Sequence, residues 1–168
     1  MSTRCQIGFY QTDNKNLLKP DALLYRHSDG YPGTVSGSKY GVLSDLVPFL
    51  RLFHKRRGLD DTEYAAAWTL HHLVDCHVRH IKAFRERTVS AKEYYPEDGK
   101  SCIGFGVCQE FHGDIEYYYA VQAPTLRIFE VNWPAEDEQP REYHFKLLRI
   151  LRLERQHRGL TRKGRLSA

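Results

Sequence analysis

The order in which strand-like and helix-like spacing follow one another constrains the fold more than any other feature of the sequence. Apolar residues at every second position indicate a strand, and apolar residues at every third or fourth position indicate a helix. Residues 4–11 and 22–27 alternate like strands, residues 44–57 and 60–87 have helical spacing, and residues 101–133 return to alternation. The chain thus has two strands, two helices and then a second group of strands.

The second group of strands predicts how the sheet is built. Its three alternating stretches are separated by the turn 112–114 and by Pro124, which is typical of a three-stranded antiparallel meander. On this interpretation Phe111 and Ile115 flank the turn on the same face of the sheet. That face is apolar along its length, so we expect it to meet the helices.

The C-terminal part of the chain completes the predicted fold. From Arg141 onward we predict a basic amphipathic helix, although the segment "EYHFKL" also alternates like a strand. The order β-β-α-α-β-β-β-α predicts an α+β fold in a single domain. Two N-terminal strands and the meander form an antiparallel sheet, two central helices cover one face, and the basic helix follows. We expect residues 1–158 to form this domain and residues 159–168 to be a basic, flexible tail.

Capping residues predict the ends of the two central helices. Ser44 is a suitable N-cap for the first helix, and Gly58 ends it after three basic residues. Asp60 and Glu63 have the spacing of a capping box at the start of the second helix.

Composition predicts a folded protein of the cytoplasm. The hydrophobic fraction is 41% over 168 residues, which excludes a disordered chain. The four cysteines form no CxxC pair, so we expect reduced thiols. The start of the chain has no leader pattern, and no apolar run approaches the ~20 residues that span a bilayer, so we expect no membrane partner.

The charge is mild overall but concentrated at the C-terminus. The formal net charge is +4, and residues 141–168 carry nine Lys or Arg against two Glu. Such a basic end suits phosphate-bearing partners such as nucleic acid. A solvated chain end has the same composition, so this alternative stays open.

The second helix carries five potential metal ligands within ten residues. They are His71, His72, Cys76, His77 and His80. Those at 72, 76 and 80 share one stripe, which we place away from an apolar side made by residues 67, 70, 74, 78 and 81. Three ligands spread over two turns do not easily enclose one ion, and the histidine at 77 falls near the apolar side. We therefore predict no metal site here.

The segment "YRHSDGYPG" (25–33) contains more chemistry than a turn requires. Asp29, Gly30 and Pro32 supply the backbone geometry of a turn, but Arg26, His27 and Tyr31 do not contribute to it. Because a carboxylate two residues away can orient an imidazole, His27 and Asp29 form a candidate acid–base pair.

A second cluster, "HGDIEYYY" (112–119), repeats the same residue types. His112 and Asp114 lie in the predicted turn, and Glu116 and Tyr118 face away from the helices. Glycines in the neighbouring strand could leave a hollow there for a ligand, although the solvent side of a sheet has the same pattern. We predict that both clusters share one cleft with Arg4.

The first of these clusters also carries a resemblance. "STRCQI" followed by "YRHSDGYPG" resembles the N-terminus of a widespread set of small bacterial and phage proteins that have no settled activity. Their sequences read Thr-Arg-Ser-x-Ile and then Tyr-x-His-Trp-Asp-Gly-Tyr-Pro. The matching residues are Thr3, Arg4, Ile7, Tyr25, His27, Asp29, Gly30, Tyr31 and Pro32. Ser28 replaces the tryptophan, and the resemblance ends near Gly33; it implies where the site lies and not its chemistry.

The interpretation that we favour is a small binding module for a phosphate-bearing ligand, either a nucleotide or nucleic acid. Arg4, Arg26 and His27 would hold phosphates together with backbone N–H groups of the glycine-rich loop after residue 30. Tyr31 or Tyr118 would stack on a base.

Two alternatives stay open. In a phosphodiester hydrolase, His27 or His112 would act as general acid or base, and Asp29, Asp114 and Glu116 would orient it or hold a divalent ion. In a protein-interaction module of phage or host-defence type, both clusters would be structural turns. The chain has none of the Walker, Gly-x-Ser-x-Gly, HExxH or dinucleotide motifs, so no particular cofactor is indicated.

Overall fold

A computed structural model describes residues 3–33, 41–98, 104–132 and 144–154. In these ranges the strands are β1 (Cys5–Tyr10), β2 (Ala22–Arg26), β3 (Phe105–Cys108), β4 (Tyr117–Gln122), β5 (Thr125–Asn132) and β6 (His144–Arg152). The helices are α1 (Val42–Arg57), α2 (Thr62–Arg87) and α3 (Val89–Tyr94). The predicted α+β class is confirmed.

The strands form one mixed sheet in the order β3-β2-β1-β4-β5-β6. β1 and β4 are parallel, with Cys5 opposite Tyr117, and the other neighbours are antiparallel. The predicted all-antiparallel sheet of five strands is therefore wrong. All six residues of β1 are buried, since the strand lies inside the sheet and both of its faces are covered.

The helices cover one face of the sheet, as predicted. Ile7, Phe9 and Val121 of the sheet pack there with Leu46 of α1 and Leu73 of α2. The opposite face, which we expected to be a hollow or a solvent side, carries a second core instead. Its buried members are Tyr10, Leu23, Phe111, Ile115, Tyr118, Ala120, Phe129 and Val131.

The predicted meander is wrong because β3 and β4 are not neighbours. β3 pairs with β2, with Leu23 opposite Cys108, so β2 and β1 separate it from β4. The pairing directions make β3 and β4 parallel, and parallel strands cannot be joined by a tight hairpin. Residues 109–116 instead form a crossover over the second core, into which they insert Phe111 and Ile115.

The predicted C-terminal helix is also wrong in the described residues. β6 pairs with β5 in an antiparallel register, with Val131 opposite Phe145. Phe145 packs on the second core, while most other side chains of β6 are exposed. The predicted tail, 159–168, lies outside the described residues.

The helix ends differ from the predicted caps by one to three residues. Gly41 is the N-cap of α1, and Ser44 Oγ donates to its carbonyl at 2.9 Å. Asp61, not Asp60, caps α2 by accepting from the Tyr64 N–H. Gly58 ends α1 as predicted. In the described part of the chain, no helix combines the length and apolarity needed to cross a bilayer, and the three cysteines there are unpaired.

Candidate functional site

Both sequence clusters lie at the end of the sheet where β1 begins. The N–H of Gly30 donates to the carbonyl of Thr3 at 2.8 Å, and the N–H of Glu116 donates to the carbonyl of Arg4 at 3.0 Å. The buried hydroxyl of Tyr119 donates to the Gly30 carbonyl at 2.8 Å. A side chain at Gly30 would overlap the backbone of Arg4 and Cys5, so this close approach requires glycine.

On the face of the sheet opposite the helices, five side chains from the two clusters and β1 meet. We call this group the histidine–tyrosine cluster: Arg4, Tyr25, His27, His112 and Asp114. Arg4 Nη1 lies 2.8 Å from Asp114 Oδ2, and the Tyr25 hydroxyl lies 3.3 Å from His27 Nδ1. The His112 ring packs on Tyr25 with centroids 4.6 Å apart. Burial, followed by the charge of Asp114, raises the pKa of Tyr25.

Hydrogen bonds to their backbone N–H groups hold both histidines in this cluster. Gln6 is completely buried; its Nε2 donates to the Glu110 carbonyl, and its Oε1 accepts from the His112 N–H, both at 3.1 Å. The N–H of His27 donates to the Gly104 carbonyl at 2.7 Å. A Cβ on Gly104 would overlap the Cβ of His27, so this position also requires glycine.

A cavity of about 540 Å³ lies on the helix-covered face of the sheet, between α2 and the turn that follows β2. We call it the helix-side pocket. Its polar lining residues are Arg26, Asp29, Asp45, His77, His80, Arg87 and Thr88, and its aromatic ones are Phe84 and Tyr95. Mostly pre-formed cavities of this size are typical of small-molecule sites.

Arg26 is the most unusual residue of the helix-side pocket. Its side chain is 6% exposed, its Nε donates to the Ser28 carbonyl at 2.7 Å, and its guanidinium lies over the Phe105 ring. Among the described residues no carboxylate forms an ion pair with it. Buried charges are normally paired, so this environment is unusual for an arginine.

His77 and Asp29 lie beside this guanidinium in the pocket wall. Burial, followed by the charge of Arg26, lowers the pKa of His77, and Asp29 opposes that shift. This shift favours the neutral form of the imidazole. Asp29 has a φ of 55°, which is rare for a residue other than glycine. It lies in the turn after β2 and forms part of the pocket wall.

The predicted site residues are thus divided between two faces of the sheet. Side chains alternate along β2 and its extension, so Arg26 points toward the helices and His27 toward the histidine–tyrosine cluster. Asp29 lines the helix-side pocket and His27 lies in the histidine–tyrosine cluster, so the predicted acid–base pair is divided between the two faces. Tyr31 is half-buried, and its carbonyl accepts from the Val42 N–H at 3.0 Å.

Two further predicted ligand residues differ in accessibility. Tyr118 is completely buried in the second core, where its hydroxyl is hydrogen-bonded to that of Tyr10. It therefore cannot stack on a base, and that expectation is wrong. Glu116 is exposed next to Asp114, and its backbone N–H and carbonyl bond Arg4 and Val131.

The histidine-rich helix packs with a different face from the one predicted. Its buried residues are Thr62, Ala65, Ala66, Thr69, Leu73 and Cys76. His72 therefore faces inward, where its ring stacks on Phe49 and its Nε2 lies 3.2 Å from the Asp45 carbonyl. No three His, Cys, Asp or Glu side chains within the described ranges are grouped as metal ligands.

Sequence reasoning missed the α2 residues that line the helix-side pocket, Thr88 and Tyr95 at the two ends of α3, and Tyr25. The crowding of histidines on α2 could have indicated that His77 and His80 belong to a site, but from the sequence alone we considered them only as metal ligands. Comparisons with models of protein families, with curated proteins and with solved structures gave no match to this chain. The function must therefore be argued from the site itself.

Proposed function

We propose that the protein is a binding module for a phosphate-bearing ligand of nucleotide size, which occupies the helix-side pocket. The observation that carries this proposal is the buried Arg26 guanidinium, which lines a cavity and has no carboxylate partner among the described residues. Hydrogen bonds between a guanidinium and phosphate oxygens are charge-assisted, and they would compensate the burial of the charge.

The layout of the pocket suits a ligand with an anionic end and an aromatic end. Arg26 and His77 lie at one end, and His77 precedes Arg87 by ten residues of α2, or about 15 Å along the helix axis. Near the far end, Phe84 and Tyr95 are in edge contact with centroids 6.1 Å apart. Phosphate at the first end and a base at the second would use both sets of side chains.

Titration calorimetry tests this proposal with inorganic phosphate, a nucleoside, and the corresponding nucleoside mono- and triphosphates. We expect the phosphorylated forms to bind more tightly than the nucleoside. Arg26→Met should weaken them about 10- to 100-fold, because it removes charged hydrogen bonds. Arg51→Met, at an exposed arginine of α1, is the matched control and should bind normally. Equal binding of nucleoside and nucleotide, or no binding of any of them, contradicts the proposal.

A second candidate function is phosphodiester cleavage at the histidine–tyrosine cluster. It is favoured by one observation: His27 and His112 both contact Tyr25, and Arg4 lies beside them with a buried Nε that has no hydrogen-bond partner in the described ranges. Two imidazoles and one cation can deprotonate a nucleophile, protonate a leaving oxygen and stabilise the charge between them.

Incubation of the protein with labelled RNA and DNA oligonucleotides in the presence of a chelator tests this second candidate. We expect cleavage to fall about 100-fold or more in His112→Ala, the loss usual for a general acid or base. His80→Ala, on the other face, should cleave normally. Absence of cleavage by the wild-type chain would eliminate this function and leave the pocket proposal unaffected.

A further inference from the structure

A groove on the outer side of α1 and α2 exposes more apolar surface than packing requires. It encloses about 400 Å³ and is lined by Phe49, Leu52, Phe53 and Tyr64, by Trp68, and by Arg56 and Arg57. We call it the α1–α2 groove. Leu52 is 47% exposed and Trp68 is 45% exposed, although both lie on helices whose other faces are buried. Large apolar side chains exposed side by side in a concave surface are typical of a binding site.

The rings of the groove are packed so that they receive side chains better than nucleobases. The Arg57 guanidinium lies 4.6 Å from the Tyr64 ring centroid and covers that face. Trp68 packs between Tyr64 and His71, with centroids 6.1 and 5.6 Å away. The faces that a base would need are therefore occupied in part. The aliphatic and ring surfaces that remain accessible suit Leu, Phe or Trp side chains.

The α1 side of the groove is positive. The C-terminal half of α1 carries Arg51, Lys55, Arg56 and Arg57, all exposed, and no carboxylate. Two arginines of this set line the groove itself. A partner that combines apolar side chains with carboxylates matches this surface in both respects.

We propose that the α1–α2 groove binds an acidic amphipathic helix of another protein. Apolar side chains at positions i, i+3, i+4 and i+7 would enter the groove, and flanking carboxylates would pair with the arginines on its rim. A second copy of this chain fits poorly, because a two-fold interface would place Arg56 and Arg57 against the same residues of the other copy. This inference uses no residue of the helix-side pocket.

The experiment measures fluorescence anisotropy of four labelled peptides with the full chain. Each peptide is an acidic amphipathic helix, with Glu on its polar face and Leu, Phe or Trp in four different arrangements on its apolar face. We expect at least one to bind, its Lys-for-Glu counterpart to bind at least tenfold more weakly, and Leu52→Ala and Trp68→Ala to weaken binding at least tenfold. Leu148→Ala is the matched control, because Leu148 is 45% exposed on the edge strand β6 and does not line the groove.

Three results would overturn the proposal. The first is that none of the four acidic peptides binds, or that the Lys peptides bind equally well. The second is that a single-stranded oligonucleotide binds and loses affinity in Trp68→Ala, which would assign the groove to nucleic acid. The third is that light scattering shows a dimer that Leu52→Ala dissociates, which would assign it to a second copy.

Discussion

Replacing Arg26 by methionine distinguishes two roles that this arginine can have, ligand binding and stabilisation of the fold. The change removes the Nε hydrogen bond to Ser28, worth about 1.5–3 kcal/mol for a charged donor. It also removes the contact with Phe105, worth about 0.5–2 kcal/mol. Against these losses, it eliminates the cost of burying a guanidinium that has no carboxylate partner in the described ranges, which amounts to several kcal/mol.

The balance of these terms predicts a variant that folds at least as well as the wild type. We expect a gain of up to about 2 kcal/mol in the free energy of unfolding, because apolar replacements of buried charges are often neutral or stabilising. For a chain of this length that gain raises the Tm by up to about 8 °C. The side chain is nearly completely buried, so solvent screening does not reduce these terms much.

Thermal unfolding with and without ligand measures both consequences. At a ligand concentration 100 times the wild-type Kd, the wild type should gain about 2.7 kcal/mol, and Arg26→Met, with a Kd about 10- to 100-fold higher, should gain only about 0.4–1.4 kcal/mol. Arg51→Met should keep both the wild-type Tm and the ligand response. A loss of more than about 2 kcal/mol in Arg26→Met without ligand would refute the reasoning, since the guanidinium would then stabilise the fold itself.

Three further predictions concern His77, Gly104 and the C-terminal residues of the chain. Because the folded pKa of His77 lies below the ordinary 6.5, its contribution to stability is present above that pH and is lost as the pH falls through the folded pKa. Urea unfolding between pH 7 and 5 should show this loss of stability, and the loss should be smaller in His77→Gln. Phosphate ligands should bind more tightly at the lower pH. Gly104→Ala should destabilise the protein by about 1–3 kcal/mol and displace His27, as denaturation and NMR would show, whereas Gly106→Ala, whose Cβ meets nothing within 4 Å, should have little effect. Removing the residues after Arg158 should weaken any nucleic-acid binding and flatten its salt dependence, because fewer counterions are released; an unchanged slope in a titration at two salt concentrations would contradict this.

The alternation of side chains predicted the positions of β1 and β2 but not which strands pair. The hairpin at residues 112–114 was inferred because alternating stretches flank it. Phe111 and Ile115, however, pack into the second core from a crossover. Local periodicity carries no information about pairing between distant strands, which depends on the burial of such side chains.

The sequence predicted the wrong packing face for α2 and a helix where β6 lies. α2 packs with small residues such as Ala65, Ala66 and Thr69, whereas the predicted face was drawn through mostly larger aliphatic residues at 67, 70, 74, 78 and 81. The size of the aliphatic side chains therefore indicated the wrong face. β6 lies at the edge of the sheet with most side chains in solvent. Few of its residues need to be apolar, and its basic residues therefore resembled a helix.

One feature of the candidate site was predictable in principle from the strand period. Arg26 and His27 are consecutive residues at the end of β2, so an extended backbone directs them to opposite faces of the sheet. The side chains of residues 25–33 that a turn does not require therefore lie at two locations: a pocket under α2 and a cluster on the opposite face. Because the sheet separates the two, a substitution such as His112→Ala should leave nucleotide binding in the pocket intact, and Arg26→Met should leave cleavage at the cluster intact. A ligand that lost affinity in both variants would show that the two faces are coupled through β2, and the division of the site would then have to be abandoned.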